Sequence, residues 1–180
     1  MSGHHTRLHW CKRQHCHSTG LNQKTRSWLF DSGSLTERLI KHCDGQFTVK
    51  LLSVRRATPT PDEIKALGLQ PRSQALIRQV LLCCDDKALV YARTIIPVSS
   101  LRGELRGLAM LGTRPLGAVL FSDHTMKRKP VEMTSLSPKH KCYEWTQYKG
   151  VEKIWGRRSV FILRSKELLV SEFFLPDLLK

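Results

Sequence analysis

The sequence contains no apolar run that approaches the roughly 18 to 20 residues a membrane-spanning helix needs. Its first residues, Met-Ser-Gly-His-His-Thr-Arg, lack the apolar stretch of a secretory signal peptide. We therefore expect a cytoplasmic protein without a membrane span. Aromatic residues make up only 7% of the 180 residues, but hydrophobic residues make up 41%, which is enough for the core of a single domain.

Acidic residues are scarce, because fifteen Asp and Glu stand against thirty Lys and Arg, which gives a formal net charge of +15. This charge favours an anionic partner such as nucleic acid, a membrane surface or a small polyanion. A nucleic-acid binder usually interleaves basic residues with exposed aromatic ones, whereas the aromatic residues of the predicted strands alternate with aliphatic ones, as in a core. We therefore expect no nucleic-acid partner.

The sequence also lacks the regular cysteine spacing of a disulfide framework or a structural zinc site. Its six cysteines are widely spread, which favours a reducing compartment. Near the N-terminus, histidines and cysteines form one irregular cluster: His4, His5, His9, Cys11, His15, Cys16 and His17. A structural zinc site has two matching halves, and this cluster has no second half. We expect no metal, and we interpret residues 1–23 as a flexible basic segment before one folded domain at residues 24–180.

A helix start is predicted at Ser34-Leu-Thr-Glu37, which has the pattern of a capping box. The amide of Leu35 then lies in the first helical turn, where it has no acceptor within the helix. Such amides can bind an anion, although most caps do no more than start a helix.

A hairpin is predicted from two apolar runs, residues 74–84 and 88–98, which flank Asp85-Asp86. If those two aspartates form the turn, Arg78 lies directly opposite Arg93 on an apolar face of the sheet. Like charges in that arrangement destabilise a sheet, and arginine does not lose its proton. An anion is therefore expected between them, unless an acidic side chain supplies it or one arginine reaches past the edge.

The next part of the chain predicts a helix at residues 101–111, ended by Gly112, and another at residues 115–121 that begins with Pro115. Leu116 then supplies a second first-turn amide. An exposed or edge strand follows at residues 125–133, because it contains Lys-Arg-Lys and a proline. Residues 134–153 have no period and predict a long loop or lid.

The C-terminal region predicts a second hairpin, from strands at residues 159–164 and 168–175. Because strand side chains alternate, Glu172 shares one face with Leu168, Val170 and Phe174. Such a carboxylate can have a structural role, in which it pairs with an arginine or reaches the rim of the sheet. Alternatively, it acts as an acid or base in a reaction.

Five ordered motifs give the chain a specific resemblance. They are Ser73-Gln-Ala-Leu-Ile-Arg-Gln-Val-Leu-Leu-Cys83, Ala92-Arg-Thr-Ile-Ile-Pro-Val-Ser99, Leu111-Gly-Thr-Arg-Pro-Leu-Gly117, Trp155-Gly-Arg-Arg-Ser159 and Leu169-Val-Ser-Glu-Phe-Phe-Leu-Pro176. With these motifs residues 7–176 resemble the chorismate pyruvate-lyases, which make 4-hydroxybenzoate for bacterial ubiquinone synthesis. The resemblance implies an α+β domain with a six-stranded antiparallel sheet, and helical flaps over a buried ligand. It also implies a lyase reaction without a cofactor.

The resemblance further implies the site residues. Glu172 matches the family's essential carboxylate, and Arg78 matches its carboxylate-binding arginine. Leu35 and Leu116 match positions that donate backbone amides, and Arg93 matches a second arginine near the pocket. Two departures are visible: Leu35 replaces a frequent methionine, and residues 134–153 form a longer loop than usual.

One alternative is a non-enzymatic sensor, because effector domains of some bacterial transcription regulators share this fold. Such a regulator carries a winged-helix segment before the effector domain. Only about twenty-five residues precede the first predicted helix here, which is too few for that module. We therefore expect an enzyme that acts as a monomer on chorismate.

Overall fold

The computed structural model describes residues 8–12 and 21–179 of the chain. Its strands are β1 (Cys11–Lys12), β2 (Phe47–Ala57), β3 (Ala75–Cys84), β4 (Lys87–Pro97), β5 (Lys127–Arg128), β6 (Glu132–Leu136), β7 (Ile154–Leu163) and β8 (Lys166–Phe174). Its α-helices are α1 (Gln23–Leu29), α2 (Leu35–His42), α3 (Pro61–Ala66), α4 (Leu116–Ser122) and α5 (Pro176–Leu179). Further 3₁₀ helices span Val98–Ser100, Gly103–Met110 and Lys141–Thr146.

The strands form one antiparallel sheet in the order β1-β6-β7-β8-β4-β3-β2, and β5 pairs with β7. The predicted α+β domain with an antiparallel sheet is therefore confirmed. The predicted number of strands is wrong, because the described residues form eight strands and not six. One additional strand, β1, has only two residues and lacks the length that gives a sequence signal. The other arises because the single strand predicted at residues 125–133 is interrupted and forms β5 and the start of β6.

The β7–β8 hairpin turns on Arg164 and Ser165, whose φ angles are 49° and 62°. Positive φ at both central residues is typical of a type I′ turn, whose twist matches that of the flanking strands. The observed turn is therefore shorter than the predicted three-residue loop, and Leu163 pairs directly with Lys166.

The two faces of the sheet carry separate parts of the core. On one face, α1, α2 and α4 pack on apolar side chains that include Val80, Ala92 and Val170. On the other face, the 3₁₀ helix Lys141–Thr146 packs near Tyr91 and Phe173. This division follows from the alternation of side chains along each strand.

Residues 134–153 do not form the predicted uninterrupted loop. Their first part belongs to β6, and Lys141–Thr146 is a 3₁₀ helix whose Cys142 and Tyr143 are buried. They pack with Leu136 and Phe173. Apolar side chains in a polar segment thus anchor it to the sheet. The helix predicted at residues 101–111 is a 3₁₀ helix at Gly103–Met110, and Gly112 after it has a positive φ of 56°.

Cys43 and Cys84 form a disulfide with a Cα–Cα distance of 5.6 Å. This bond is not predicted by cysteine spacing, because no spacing rule pairs cysteines that are 41 residues apart. The bond joins the end of α2 to the end of β3. In the described part of the chain, no helix is long and apolar enough to cross a membrane.

Candidate active site

A small cavity lies between the sheet and the N-terminal ends of α2 and α4. Its walls include six residues that bear on the chemistry: Leu35, Arg78, Leu116, Arg128, Arg157 and Glu172. Four of the five predicted site residues therefore meet in one place. The fifth, Arg93, does not line this cavity.

Arg78 projects from β3, and only 3% of its surface is exposed. Its Nη2 donates hydrogen bonds of 2.9 and 3.0 Å to the carbonyl oxygens of Gly112 and Arg114, just before α4. Its buried Nε has no hydrogen-bond partner, and no carboxylate pairs with it among the described residues. Burial lowers the pKa of Arg78. A buried cation without a counter-ion is costly, so this position is suited to an anionic ligand.

The prediction that Arg78 lies opposite Arg93 is wrong. Leu82 pairs with Val90 and Cys83 with Ala88, so Leu89 is an extra residue in the ladder. This bulge shifts the register by one, and Arg78 lies opposite Thr94 while Arg93 lies opposite Gln79. A shift of one residue moves a side chain to the other face of the sheet.

Arg93 has a separate structural partner on that other face. Its Nε and Nη2 donate to the two carboxylate oxygens of Glu63 at 2.7 and 3.1 Å. Its guanidinium also lies 4.7 Å from the ring centre of Trp145. An acidic side chain thus supplies the anion for Arg93, which is the alternative left open by the sequence, and this ion pair lies away from the cavity.

Glu172 lies on β8, between Ala92 on β4 and Arg157 on β7. Its Oε2 accepts a 2.6 Å hydrogen bond from Nε of Arg157. Nη1 of Arg157 donates to the carbonyl oxygens of Trp28 and Asp31. Glu172 is therefore both paired with a buried arginine and placed on the cavity wall.

Arg157 was not among the predicted site residues, although the sequence contains a signal for it. If the turn is Arg164-Ser165, pairing outward along the two strands places Arg157 opposite Glu172, as observed. The predicted longer loop gave a different register. Gly156, next to Arg157, is required by close packing, because a Cβ there would lie 2.6 Å from the ring of Phe173.

Arg128 is a second cavity residue that was not among the predicted site residues. It was predicted to be exposed with its neighbours Lys127 and Lys129, but β5 turns it inward and it lines the cavity. Its Nε donates to Oγ of Ser159 at 3.0 Å. Burial, and then the nearby charge of Arg157, lower the pKa of Arg128.

The N-terminal ends of α2 and α4 meet beside the cavity. Oγ of Ser34 accepts from the amide of Glu37 at 3.3 Å, which confirms the predicted cap of α2. Pro115 caps α4 and is not its first residue. A Cβ on Gly117 would lie 2.7 Å from Oγ1 of Thr36, so the glycine permits the close approach of the two helices.

Within residues 8–12 and 21–179, no group of three or more His, Cys, Asp or Glu side chains is arranged so that it could hold a metal ion. Most of the N-terminal cluster, namely His4, His5, His15, Cys16 and His17, lies outside the described residues. The expected absence of a metal therefore stays a prediction.

The fold is similar to solved structures of bacterial transcription regulators. PhnF from Mycobacterium smegmatis matches with a TM-score of 0.62 and 14% identity over 84% of this chain and 67% of that protein. Its effector domain alone matches with a TM-score of 0.58 and 14% identity over 81% of this chain and 90% of that domain. At this level of identity the likeness shows the fold alone.

Sequence relatives are much closer. Proteins named "Probable chorismate pyruvate-lyase" from Methylobacillus flagellatus and Thiobacillus denitrificans are 42% and 44% identical to this chain. Each match covers 86% of this chain, with 88% and 83% of the respective relatives. The family model described as "Chorismate lyase" matches residues 5–180. The motifs, the fold and these matches agree, and the chain belongs to the chorismate lyase family.

Proposed function

We propose that this protein eliminates pyruvate from chorismate to give 4-hydroxybenzoate, as the names of its relatives indicate for those proteins. The observation that carries the proposal is the cavity. It combines Arg78, a buried cation without a carboxylate partner in the described residues, with Glu172, a carboxylate on the same wall. A ligand with a carboxylate and a transferable proton suits both groups.

The bond changes of this reaction take place within the substrate. The ether bond between the ring and the enolpyruvyl group breaks, the ring loses one hydrogen as a proton, and the electron pair left on the ring completes the aromatic system. The departing enol gains a proton on carbon and becomes pyruvate. Aromatisation supplies the driving force, so the protein has to bind a dianion, orient it and move protons.

We assign Arg78 to the ring carboxylate, which is common to chorismate and 4-hydroxybenzoate. Nε of Arg78 is buried without a partner, and a carboxylate would satisfy it through a charge-assisted hydrogen bond. The amides of Leu35 and Leu116 lie in the first turns of α2 and α4, on the same cavity wall. They would add neutral donors to the same anion.

We assign Glu172 to proton transfer as the acceptor of the ring proton. Its ion pair with Arg157 holds the carboxylate on the cavity wall. Arg157 occupies Oε2, and no hydrogen bond to Oε1 is found within the described ranges. That oxygen would be available to the substrate. The same ion pair fixes the orientation of the carboxylate, which a general base requires.

We further propose that α2 and α4 act as flaps. The cavity offers only about 40 Å³ to the centre of a water-sized sphere, which is room for a few water molecules. An aromatic acid therefore enters only if the walls separate. The two helices meet at Gly117 beside the cavity, and a small opening there would admit the ligand.

The decisive experiment is an assay on purified protein with chorismate. Formation of 4-hydroxybenzoate is followed by absorbance, and pyruvate is followed by coupling to lactate dehydrogenase. We expect equal amounts of both products, with turnover unchanged by EDTA. Tight binding of 4-hydroxybenzoate without turnover would support the non-enzymatic sensor, and loss of activity in EDTA that zinc restores would contradict the metal-free mechanism.

A further inference from the structure

We propose that Arg128, together with its neighbour Arg157, forms a second carboxylate-binding subsite in the cavity, and that this subsite binds the enolpyruvyl carboxylate of chorismate. The inference rests on the proposed function, because it names the part of that substrate that the second subsite recognises. It assigns to Arg128 a role in substrate specificity.

The two arginines are held together by one backbone oxygen. Nη1 of Arg157 donates to the carbonyl oxygen of Asp31 at 2.8 Å, and Nη1 of Arg128 donates to the same oxygen at 3.2 Å. The two nitrogens are therefore no more than about 6 Å apart. Two guanidinium groups this close repel each other, and an anion that contacts both would relieve the repulsion.

The nearby carboxylates neutralise this pair of arginines only in part, because neither forms an ion pair with Arg128. Glu172 pairs with Arg157, and the side chain of Asp31 is engaged by Arg38 at 2.6 Å. Arg128 has no ion pair of 4 Å or less in the described parts of the chain. Its contacts are the hydroxyl of Ser159 and backbone carbonyls, and its Nη2 has no hydrogen-bond partner there.

The position of Arg128 relative to Arg78 fits a ligand with two carboxylates. Arg78 on β3 is aligned across β4 and β8 with Ser159 on β7, which contacts Arg128. Three strand spacings, or about 14 Å, separate the backbone at Arg78 from the backbone at Ser159. Arginine side chains that reach inward from both sides can then contact opposite ends of one small ring compound.

The charges of the cavity lead to the same conclusion. The ionisable residues that line it are Arg78, Arg128, Arg157 and Glu172, so the wall carries two more positive than negative charges. Chorismate is a dianion, whereas 4-hydroxybenzoate carries one carboxylate. The second subsite would therefore distinguish substrate from product, and after the reaction its anion would be pyruvate.

The test uses a pair of non-reacting probes that differ by this carboxylate. The first is 3-(carboxymethoxy)benzoate, whose second carboxylate is carried by an ether at the ring position of the enolpyruvyl group, and the second is 3-methoxybenzoate. In the wild type we expect the dicarboxylate to bind at least about tenfold more tightly, as a charged hydrogen bond implies. In Arg128→Gln the two probes should bind within about twofold of each other.

Two matched variants separate this role from general effects. Arg78→Gln should weaken both probes together and leave their ratio unchanged, because both carry the ring carboxylate. Arg56→Gln removes the same charge from an exposed site on β2 and should change neither affinity. In the lyase assay Arg128→Gln should raise KM for chorismate at least about tenfold, while the affinity for 4-hydroxybenzoate changes less than threefold.

Equal affinity of the wild type for the two probes would overturn the proposal. An equal loss of affinity for both probes in Arg128→Gln would also overturn it, because it would show that Arg128 has only a structural role. If Arg128→Gln does not fold, Arg128→Lys keeps the positive charge without the planar guanidinium group. Its ratio of affinities for the two probes should then lie between that of the wild type and one. The binding ratio needs no turnover. A wild type that prefers the dicarboxylate but does not convert chorismate would refute the proposed function and leave the second subsite in place.

Discussion

Glu172 and Arg157 have to be understood as a pair. The side chain of Arg157 is 1% exposed, and its Nε is 2.6 Å from Oε2 of Glu172. Burying two charges costs free energy that their attraction and further hydrogen bonds offset, but removal of one partner leaves the other charge uncompensated. A change at Glu172 is therefore expected to affect stability as well as chemistry, and the two effects have to be measured separately.

Glu172→Gln should lower the single-turnover rate on saturating chorismate by about 10²- to 10⁴-fold, because the amide does not accept the ring proton. It should also lower the melting temperature, since Arg157 loses its counter-ion. Single-turnover rates are the proper measure, because slow product release then does not hide the chemical step. A rate within about fivefold of the wild type would show that Glu172 only orients the substrate.

Glu63→Gln is the matched control for this variant. It breaks another buried pair, with Arg93, on the opposite face of the sheet. It should destabilise the protein by a comparable amount, on the order of 3 to 5 kcal/mol. Below the melting temperature it should keep the wild-type single-turnover rate, because neither Glu63 nor Arg93 lines the cavity.

Arg78→Met exchanges a buried unpaired charge for an apolar side chain of similar length. The melting temperature of the ligand-free protein should stay within a few degrees of the wild type or rise, because the unpaired guanidinium is costly to bury. Binding of 4-hydroxybenzoate, measured by calorimetry, should weaken at least about tenfold. An unstable variant that still binds 4-hydroxybenzoate normally would instead make Arg78 a structural residue that holds the Gly112 and Arg114 carbonyls.

At the scale of elements, the contact between α2 and α4 controls the shape of the cavity. Ser34 and Thr36 of one helix end face Gly117 of the other. Because both helices present their first turns to the cavity, a shift of either helix would move its own backbone donor, at Leu35 in α2 or at Leu116 in α4.

Gly117→Ala should therefore weaken binding of 4-hydroxybenzoate and destabilise the protein by about 1 to 3 kcal/mol, because the new Cβ forces α2 and α4 apart. Gly107→Ala is the control, since a Cβ at Gly107 would have no atom within 4 Å. Thermal melting with and without ligand measures both effects. Equal affinity in the two variants would show that the contact at Gly117 does not shape the binding site.

At the scale of the whole molecule, the Cys43–Cys84 disulfide joins two elements that are distant in sequence. Closing a loop of this length restricts the unfolded chain by about 4 kcal/mol in the chain-entropy model. For a protein of this size that corresponds to roughly 8 to 16 °C in melting temperature.

The free cysteines Cys83 and Cys142 are buried, and burial raises the pKa of both thiols, to about 12 for Cys142. They are therefore poorly reactive at neutral pH.

Cys43→Ser should therefore melt well below the wild type in oxidising buffer. In excess reductant the two proteins should melt at nearly the same temperature, because both then lack the bond. A wild type that melts no higher than Cys43→Ser under oxidising conditions would show that the bond contributes nothing to stability.

The sequence by itself determined the features that depend on local rules. The cap at Ser34, the C-terminal hairpin and the inward placement of Glu172 follow from side-chain chemistry and from the alternation along a strand, and all three are observed. The motifs around Arg78 and Glu172 also indicated the family, which the comparisons confirm. These signals need only neighbours in the chain.

The tertiary structure alone decided which residues share a face of the sheet and which partners they meet. The bulge at Leu89 moved Arg93 away from Arg78, and the docking of β5 turned Arg128 into the cavity. A single extra residue reverses the face of every side chain beyond it, and its position is set by packing between strands rather than by the sequence around it. Glu172 and Arg78 could therefore be identified in advance, and Arg157 follows once the turn at Arg164-Ser165 is known, whereas Arg128 required the folded sheet.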